Sequence, residues 1–355
     1  MQFRALRPDI RTLDPAYFGL PMSTGALALA SHALGNDAVA RLFFGLNNAE
    51  IAVLGLLLLL RMVLYFPSFN KDLSAHNKGA GFLTVVAALC ILGTEHMVLA
   101  PNVHAALALW CAAFIAWAVL SYAFFILVTI SRRKPGLEHG IDGSWLLFVV
   151  AAQALSILGS FIAPVLAPYL RHALFGALFL YLLGCLFYVV VIGMIFYRTT
   201  FFHMRADEFK PSYWIDMGAA AITTLAGTML ADAMARHGIY TDFIPLLKLG
   251  SAFFWVAGTW WIPVILFLEI WRHTIIPLRY HAGHWSLVFP LGVYTLCTWE
   301  LAGMLQLPVL QSVAWVFLRV AWLAWSITFL GMCHRVWRRY GVKERTPAAA
   351  AKHTR

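Results

Sequence analysis

The chain has 355 residues, of which 61% are hydrophobic and only 12% are charged, and its formal net charge at pH 7 is +10. A soluble domain carries about 25% charged residues, so the composition excludes a soluble globule of this size and favours a protein of the lipid bilayer. In so apolar a chain the positive charge fits basic loops beside anionic lipid better than binding to nucleic acid, and we expect no nucleic-acid partner.

Ten apolar stretches follow a polar N-terminal segment, residues 1–14. A helix needs about 20 apolar residues to cross the hydrocarbon of a bilayer, and ten such spans use most of the chain. We therefore predict an all-α polytopic membrane protein with one ten-helix transmembrane domain, residues 15–339, and a disordered basic cytoplasmic tail, residues 340–355. The predicted spans are 15–34, 45–66, 79–99, 103–131, 144–166, 171–197, 213–235, 245–272, 284–306 and 311–337.

Arginine and lysine are concentrated in every second gap between the spans and are nearly absent from the other gaps. Loops that stay in the cytoplasm carry an excess of these two residues. The pattern therefore predicts that both termini lie in the cytoplasm, which requires an even number of spans and agrees with the count of ten. We expect an integral protein of the bacterial inner (plasma) membrane, with residues 1–14 on the cytoplasmic side.

Short outer turns, such as residues 100–102 and 167–170, join consecutive spans into five hairpins. The odd-numbered spans are rich in small residues and hydroxyls, as in 217–228, whereas the even-numbered spans are bulkier, as in 175–187. Because small residues allow backbones to approach closely and can line a wet path, we predict small inner helices ringed by bulky outer helices around a central pore. Tight packing without a pore is the alternative.

Charged residues inside a membrane are costly and indicate either function or pairing. Counted from the turn of the last hairpin, Glu300 and Arg319 lie at similar depth. Counted from the turn of the fourth hairpin, so do Asp232 and Lys248. We predict that both are ion pairs that clamp an inner helix to an outer one. Glu95 has no opposite charge at matching depth in the next span, and it is therefore our candidate for proton coupling.

Motifs for catalysis or for a bound cofactor are absent from the sequence. The five cysteines lie in apolar segments without close pairing, and there is no HExxH, CxxC or CxxCH. There is also no nucleophile elbow and no phosphate-binding Gly-rich loop. We expect no metal site, no cofactor and no enzyme. Thirteen histidines, two of which (His96 and His104) flank one short turn, leave open a structural or haem-binding redox subunit, which a visible absorption spectrum would distinguish from a transporter.

Five short segments occur in order along residues 15–292 of this ten-span chain. They are PAYF at 15–18, GAGFLT at 79–84, YWIDMGA at 213–219, GTWWIP at 258–263 and WSLVFPLG at 285–292. Each segment alone is a weak signal, but their order on a chain of this topology is more specific. Together they resemble the tellurite-resistance/C4-dicarboxylate transporter family, which is related to the plant slow anion channels within the voltage-dependent anion channel superfamily.

The resemblance implies a homotrimer in which each protomer has its own pore, formed by the five odd-numbered helices with quasi-fivefold symmetry. It also implies transport of small anions, either C4-dicarboxylates such as malate or sulfite, tellurite, nitrate or chloride. The protein would act as a channel or as a proton-linked transporter. A pore-blocking phenylalanine of the ninth helix maps onto Phe289, and a second aromatic residue, in the third helix, maps onto Phe82.

Two prolines lie where a kink would redirect an inner helix. Pro290 directly follows Phe289, and Pro21 lies in the first span. Proline removes a backbone hydrogen bond inside a helix, and a kink at Pro290 would turn the Phe289 ring into the lumen, where it would gate by occlusion and dewetting. Hydroxyl groups would replace water around the anion, and the predicted pore-lining residues are Ser23, Thr24, Thr84, Ser156, Thr223 and Thr224.

Overall fold

The computed structural model describes residues 9–340, and these residues form helices but no strand. The prediction of an all-helical protein is confirmed. Residues 1–8 of the predicted N-terminal segment and residues 341–355 of the predicted tail lie outside the described residues. Helices of 15 residues or more, labelled in chain order, are α1 Gly19–Ala33, α2 Asp37–Leu64, α3 Leu83–Val98, α4 Val103–Ile130, α5 Leu147–Ile162, α6 Leu170–Phe201, α7 Ile215–His237, α8 Ile244–Ile275, α9 Trp285–Leu305 and α10 Pro308–Tyr340.

Each of the ten predicted spans overlaps one of these helices. Within residues 9–340, eight segments are long and apolar enough to cross a membrane. One of them, Gly143–Phe201, has 59 residues and contains both α5 and α6. The shortest helix, α1, is not among the eight. A membrane protein is therefore confirmed, whereas the arrangement of ten spans in five hairpins stays a prediction.

Each odd-numbered helix is preceded by a 3-10 turn. Asp14 and Asp142 cap two of these turns, because each side chain accepts a hydrogen bond of 2.9 Å from a backbone N–H two residues later. Proline begins two of the turns, where its missing N–H costs nothing. The five turns contact one another in a closed ring, so the N-termini of the odd-numbered helices lie at one end of the molecule. The turns are Pro15–Phe18, Gly79–Phe82, Gly143–Leu146, Pro211–Trp214 and Ala282–His284.

The odd-numbered helices occupy the centre of the molecule. They contact one another in the order α1, α3, α5, α7, α9 and back to α1, and each also packs against the even-numbered helix that follows it. The most apolar part of the segment Pro211–His237, which contains α7, is 89% buried, compared with 17% for Asp37–Leu64, which contains α2. The even-numbered helices therefore carry most of the exposed apolar surface, as contact with lipid requires.

Small residues bring the inner helices close together. Gly292 on α9 faces Ala26 on α1, where a Cβ added to the glycine would lie 3.2 Å from the Cβ of Ala26. Gly218 on α7 faces the ring of Pro290 on α9, where an added Cβ would lie 2.7 Å from Cγ. Such close contacts between helices require glycine. The small residues therefore serve tight packing, which was the alternative to a pore, although a cavity also lies between these helices.

The two predicted kink positions differ in their surroundings. Pro290 lies inside α9, in its second turn, and removes one hydrogen bond of the helix ladder. Pro21 is the third residue of α1. The turn Pro15–Phe18 runs directly into α1, so the missing N–H of Pro21 falls within continuous helical backbone, and a kink there stays a prediction.

The start of α5 depends on a glycine that no other residue can replace without movement of the backbone. A Cβ on Gly143 would lie 2.9 Å from Cα of Tyr213 and closer still to the carbonyl oxygen of Ser212. We expect Gly143→Ala to destabilise the protein by roughly 1–3 kcal/mol through overpacking, seen as a lower unfolding midpoint. Gly55→Ala on α2, where an added Cβ meets nothing within 4 Å, is the matched control, and an equal loss in both variants would contradict this account of the ring.

Candidate functional site

A cavity of about 300 Å³ lies between the C-terminal halves of the five odd-numbered helices. Its innermost layer contains one residue from each of these helices, and the next layer is also apolar. Outward from there the cavity widens to a mouth that carries ionisable side chains. The innermost layer is Ala26, Cys90, Ala154, Ile222 and Val293, the next is Leu29, Ile91, Ile157, Leu225 and Leu296, and the mouth includes His32, Asp232, Arg236 and Glu300.

The five innermost residues follow from a repeat in the sequence. A bulky residue ends each of the first four 3-10 turns, and Trp285 takes the equivalent place before α9 continues. In every inner helix the innermost cavity residue comes eight positions after that bulky residue. The bulky residues are Phe18, Phe82, Leu146, Trp214 and Trp285. The repeat gives the five helices a common register, so equivalent positions lie at equivalent heights.

One turn below the cavity, the equivalent positions form its floor. We define the floor as Met22, Val86, Val150, Gly218 and Phe289. The four side chains of the floor are at most 2% exposed, and Gly218 is buried as well. Phe289 is by far the largest member of the floor.

Packing on both sides of Phe289 determines where its ring points. On α9, Pro290 packs against Gly218 of α7, and Gly292 packs against Ala26 of α1. Phe289 and Val293 lie four positions apart on the face of α9 between these two contacts, and residues four apart share a face of a helix. Since Val293 lines the cavity, Phe289 faces the same axis.

Phe82 does not join Phe289 at the floor. Its ring packs edge-on against Phe69, with 4.8 Å between centroids, and the guanidinium of Arg61 lies 5.8 Å from its centroid. Phe69 belongs to the short helix Phe66–Leu73 after α2. These contacts give Phe82 a packing role on the α2 side of the molecule, and the expectation of a second aromatic constriction is corrected.

The six predicted pore-lining hydroxyls do not line the cavity. Ser23 donates to the backbone carbonyl of Trp285 at 3.2 Å, Ser156 to that of Ala177 at 2.8 Å, and Thr84 to that of Pro15 at 3.1 Å. They satisfy polar groups where elements pack together, as buried hydroxyls must.

The other three hydroxyls are used in the same way. Thr224 donates to Ser251 at 3.2 Å, Thr24 accepts from the indole of Trp325 at 3.0 Å, and Thr223 donates to Ala219 in its own helix at 2.7 Å. The hydroxyl that does line the cavity is Thr94, which the sequence analysis missed. The signal that identifies Thr94 is its place four positions after the cavity residue Cys90, on the same face of α3.

Neither predicted intramembrane ion pair forms. Asp232 instead pairs with Arg236, four positions later on α7. Glu300 has no ion-pair partner among residues 9–340, and Arg319 is exposed on α10. Lys248 is likewise exposed on α8. Asp232, Lys248 and Glu300 line one cavity of about 370 Å³, so these residues lie near one another without forming the predicted pairs.

Glu95, the candidate for proton coupling, is fully buried on α3 but does not line the cavity. Its carboxylate accepts a hydrogen bond from the amide of Asn47 on α2. It lies behind the cavity wall, because a Cβ added to Gly25 of α1 would contact both Glu95 and the cavity residue Ile91.

A buried arginine, Arg61, holds α1 and α2 together at the end of the molecule where the 3-10 turns lie. The sequence analysis assigned it no role. Arg61 pairs with Asp72 at 2.5 Å and donates to the carbonyl of Leu13 at 2.6 Å. The contact ties α2 to the short helix after it and to the segment before α1. Its role is structural, since its partners lie outside the cavity.

Two histidines lie in the loop before α9, near the same end. The rings of His281 and His284 are 4.0 Å apart. Burial lowers the pKa of His281 to about 4, with smaller contributions from His284, Arg272 and Arg335. The lowered pKa favours the neutral imidazole of His281 near pH 7.

We expect His281 to show no titration between pH 5 and pH 8. Imidazole NMR signals of histidine-labelled protein, with His281 assigned from a His281→Gln sample, would test this. His139, which is exposed in the segment between α4 and α5, is the comparison residue in the same spectra. A midpoint for His281 above pH 5 would contradict the burial of its ring.

The fold and the cavity define an all-helical membrane protein whose central helices enclose a cavity. Residues 12–333 match the family model for the voltage-dependent anion channel. The chain belongs to the voltage-dependent anion channel family, and the resemblance found in the sequence is confirmed at that level. The family's description names a channel and not an enzyme.

Two groups of relatives are similar to this chain. An uncharacterized membrane protein of Mycobacterium tuberculosis, from strains CDC 1551 and H37Rv, is 38% identical over 156 residues, which is 42% of this chain and 76% of that protein. An uncharacterized transporter of Methanocaldococcus jannaschii is 22% identical over 343 residues, which is 92% of this chain and 96% of that transporter.

Proposed function

We propose that the protein transports small anions through the path between its five inner helices, and that Phe289 is the gate of this path. The observation that carries the proposal is the position of Phe289. It is the one large ring in the floor of a cavity to which all five inner helices contribute. A bulky apolar side chain at a narrow point blocks ions by occlusion and by excluding water.

The electrostatic potential at the ends of the inner helices favours an anionic substrate. Their five N-termini lie together at one end of the molecule, and a helix N-terminus carries roughly half a positive elementary charge. The basic loops predicted for the cytoplasmic side lie at this same end. An anion that approaches from there meets a positive potential before it reaches the floor. The floor and the two innermost layers of the cavity offer no fixed cation that would hold it.

The proposed architecture is ten spans in five hairpins around a quasi-fivefold pore, with both termini in the cytoplasm of a bacterial inner membrane. The 15 residues of α1 are extended by the preceding turn Pro15–Phe18, and the 59-residue segment that contains α5 and α6 holds two crossings of about 20 residues each. Exposed apolar faces on the even-numbered helices suit lipid and also suit neighbouring protomers of the proposed homotrimer.

The proposed substrates are malate and other C4-dicarboxylates, sulfite, tellurite, nitrate or chloride. A cavity of about 300 Å³ corresponds to the volume of about ten water molecules, which is room for one such ion with part of its hydration shell. Channel and proton-linked transporter are both compatible with this geometry. Single-channel currents in planar bilayers would distinguish them, because carriers that change conformation in each cycle pass far fewer ions.

Removal of the gate ring is the direct test. We expect Phe289→Ala to increase anion flux into proteoliposomes by about tenfold or more, the factor that corresponds to a barrier lower by about 1.4 kcal/mol. Flux of malate, sulfite, nitrate and chloride would be compared in the same vesicles. The physical reason is that a methyl group at this height leaves the floor open to water.

Phe82→Ala is the matched control, because Phe82 is as deeply buried as Phe289 but packs on Phe69. We expect it to lower the unfolding midpoint, at a cost of about 3–5 kcal/mol, without raising flux. Unchanged flux in Phe289→Ala, or an equal rise in both variants, would contradict the gate.

A further inference from the structure

Four buried oxygen atoms at the junction of α1, α2 and α3 have no donor in hydrogen-bonding geometry, and the Thr24 hydroxyl beside Glu50 donates to the carbonyl of Leu20. The four atoms are Oδ1 of Asn47, both carboxylate oxygens of Glu50 and Oε1 of Glu95. Asn47 and Glu95 are fully buried. All four atoms are acceptors, and a buried acceptor without a donor is costly. The cluster therefore has the chemistry of a site for a positively charged ligand.

The three side chains form one unit. Asn47 and Glu50 lie one turn apart on α2, and the Asn47 amide donates to Oε2 of Glu95 on α3. Glu50 and Glu95 are close enough for their charges to interact. Gly25 of α1 closes the unit, since an added Cβ would lie 3.0 Å from the same carboxylate oxygen of Glu95.

No cation of the described residues neutralises the two carboxylates. On α1 the titratable residue is His32, which pairs with Asp37. Of the two arginines of α2, Arg61 pairs with Asp72 and Arg41 is exposed. The helices next to α3 add His104 on α4 and nothing titratable on α5. On α3 itself, His96 follows Glu95, but its ring packs against Phe44 with 5.1 Å between centroids and its Nδ1 has no partner.

A second cavity, the side groove, leads to Glu50. It has a volume of about 680 Å³ and lies between α2, α10 and the segments before α1 and α9. Apolar residues of α2, including Leu54 and Leu57, line one wall. Ionisable groups line the end near the 3-10 turns, where Asp9 pairs with Arg339 and Arg335 donates to the carbonyl of Tyr280. Asp14, Tyr17 and His281 complete this end.

We propose that Glu50, Asn47 and Glu95 form a binding site for one proton, which enters through the side groove and not through the central cavity. A proton shared by the two carboxylates supplies the missing donor and removes one of two like charges from a buried site. A proton fits better than a metal ion, because the site offers three side chains and is closed tightly by Gly25. Within residues 9–340 there is also no group of three or more acidic, histidine or cysteine side chains suited to a metal.

The site adjoins the wall of the central cavity. The Cβ position of Gly25 lies between Glu95 and Ile91, and Ile91 lines the cavity. Loss of the proton leaves two repelling carboxylates at the contact between α1 and α3, which loosens the side of the ring next to the cavity. This link to anion movement rests on the proposed function, whereas binding of the proton does not.

The binding test uses purified full-length protein in detergent micelles, with the unfolding midpoint followed by tryptophan fluorescence. We expect the wild type to gain stability relative to Glu95→Gln as the pH falls from 8 to 5, because the folded site holds a proton that the solvated carboxylates of the unfolded chain release. The buried His281 has the opposite effect on stability, but it has this effect equally in both proteins. A difference of one proton changes the folding equilibrium about tenfold per pH unit. Glu95→Gln places a permanent donor at the same position and should flatten this dependence, as should Glu50→Gln.

The matched control is Glu138→Gln, which alters an exposed carboxylate and should keep the wild-type slope. Equal slopes in wild type, Glu95→Gln and Glu50→Gln would overturn the proposal. So would a midpoint that rises at fixed pH when choline chloride is replaced by sodium chloride, because that result identifies a sodium site. None of these readouts involves anion flux, so the outcome is independent of whether the protein transports anions.

Infrared spectroscopy supplies a second measurement that needs no variant to survive heating. The wild type at pH 7 should show the carbonyl stretch of a protonated carboxyl group, and this band should lose intensity in Glu95→Gln or Glu50→Gln. Glu269→Gln, whose buried carboxylate pairs with Arg272 at 3.0 Å, should leave the band unchanged. Absence of the band from the wild type would contradict the proposal.

The route is tested by the rate at which this band shifts after transfer to D₂O. Ala49 lines the side groove and Ala33 lines the mouth of the central cavity. We expect Ala49→Trp to slow the shift several-fold and Ala33→Trp to leave it unchanged. The reverse result would place the entry of the proton in the central cavity and overturn the proposed route.

Discussion

The rest of the structure depends on the close contact between neighbouring inner helices. Gly218 against Pro290 and Gly292 against Ala26 bring α7, α9 and α1 together at distances that no larger side chain permits. These two contacts flank Phe289 and leave its ring only the direction of the central axis. The same tight packing lets five short helices enclose a cavity of about 300 Å³ while their backbone polar groups stay satisfied within the helices. A larger residue at either glycine would therefore disturb the ring and the gate together.

The ionisable groups lie around the central path and not in its floor. The floor and the two innermost cavity layers contain no charged residue, and the mouth carries Asp232, paired with Arg236, beside the unpaired Glu300. An anion would therefore be attracted from the end with the helix N-termini and would pass Glu300 and the Asp232–Arg236 pair at the other end. Glu50 and Glu95 form a second acidic group, separated from the path by the wall that includes Ile91. Anion path and proton site can thus influence each other without sharing a ligand.

The sequence was sufficient to predict the helices but not the direction of their side chains. The apolar lengths located all ten long helices, and the contrast between small and bulky spans separated inner from outer helices, because both features reflect burial along a whole helix. The direction of each side chain around the helix axis leaves no such signal in a helix that is apolar on all sides. Ser23 and Ser156 were therefore assigned to a pore although they bond to neighbouring backbone, and Arg319 was paired with Glu300 although it is exposed. Phe289 was named from the family resemblance and not from the pattern of the helix, and its role as a gate stays a prediction.

The central claim is that the path between the inner helices is closed at the height of Phe289. Accessibility of single cysteines on either side of the floor tests it most directly, in a background without the five native cysteines. Val293 lies in the cavity and the half-buried Ser286 lies three positions before Phe289, on the opposite side of the floor. The account predicts that a membrane-impermeant thiol reagent modifies Val293→Cys from one side of the membrane only and Ser286→Cys from the other side only. Modification of both cysteines from the same side would contradict it.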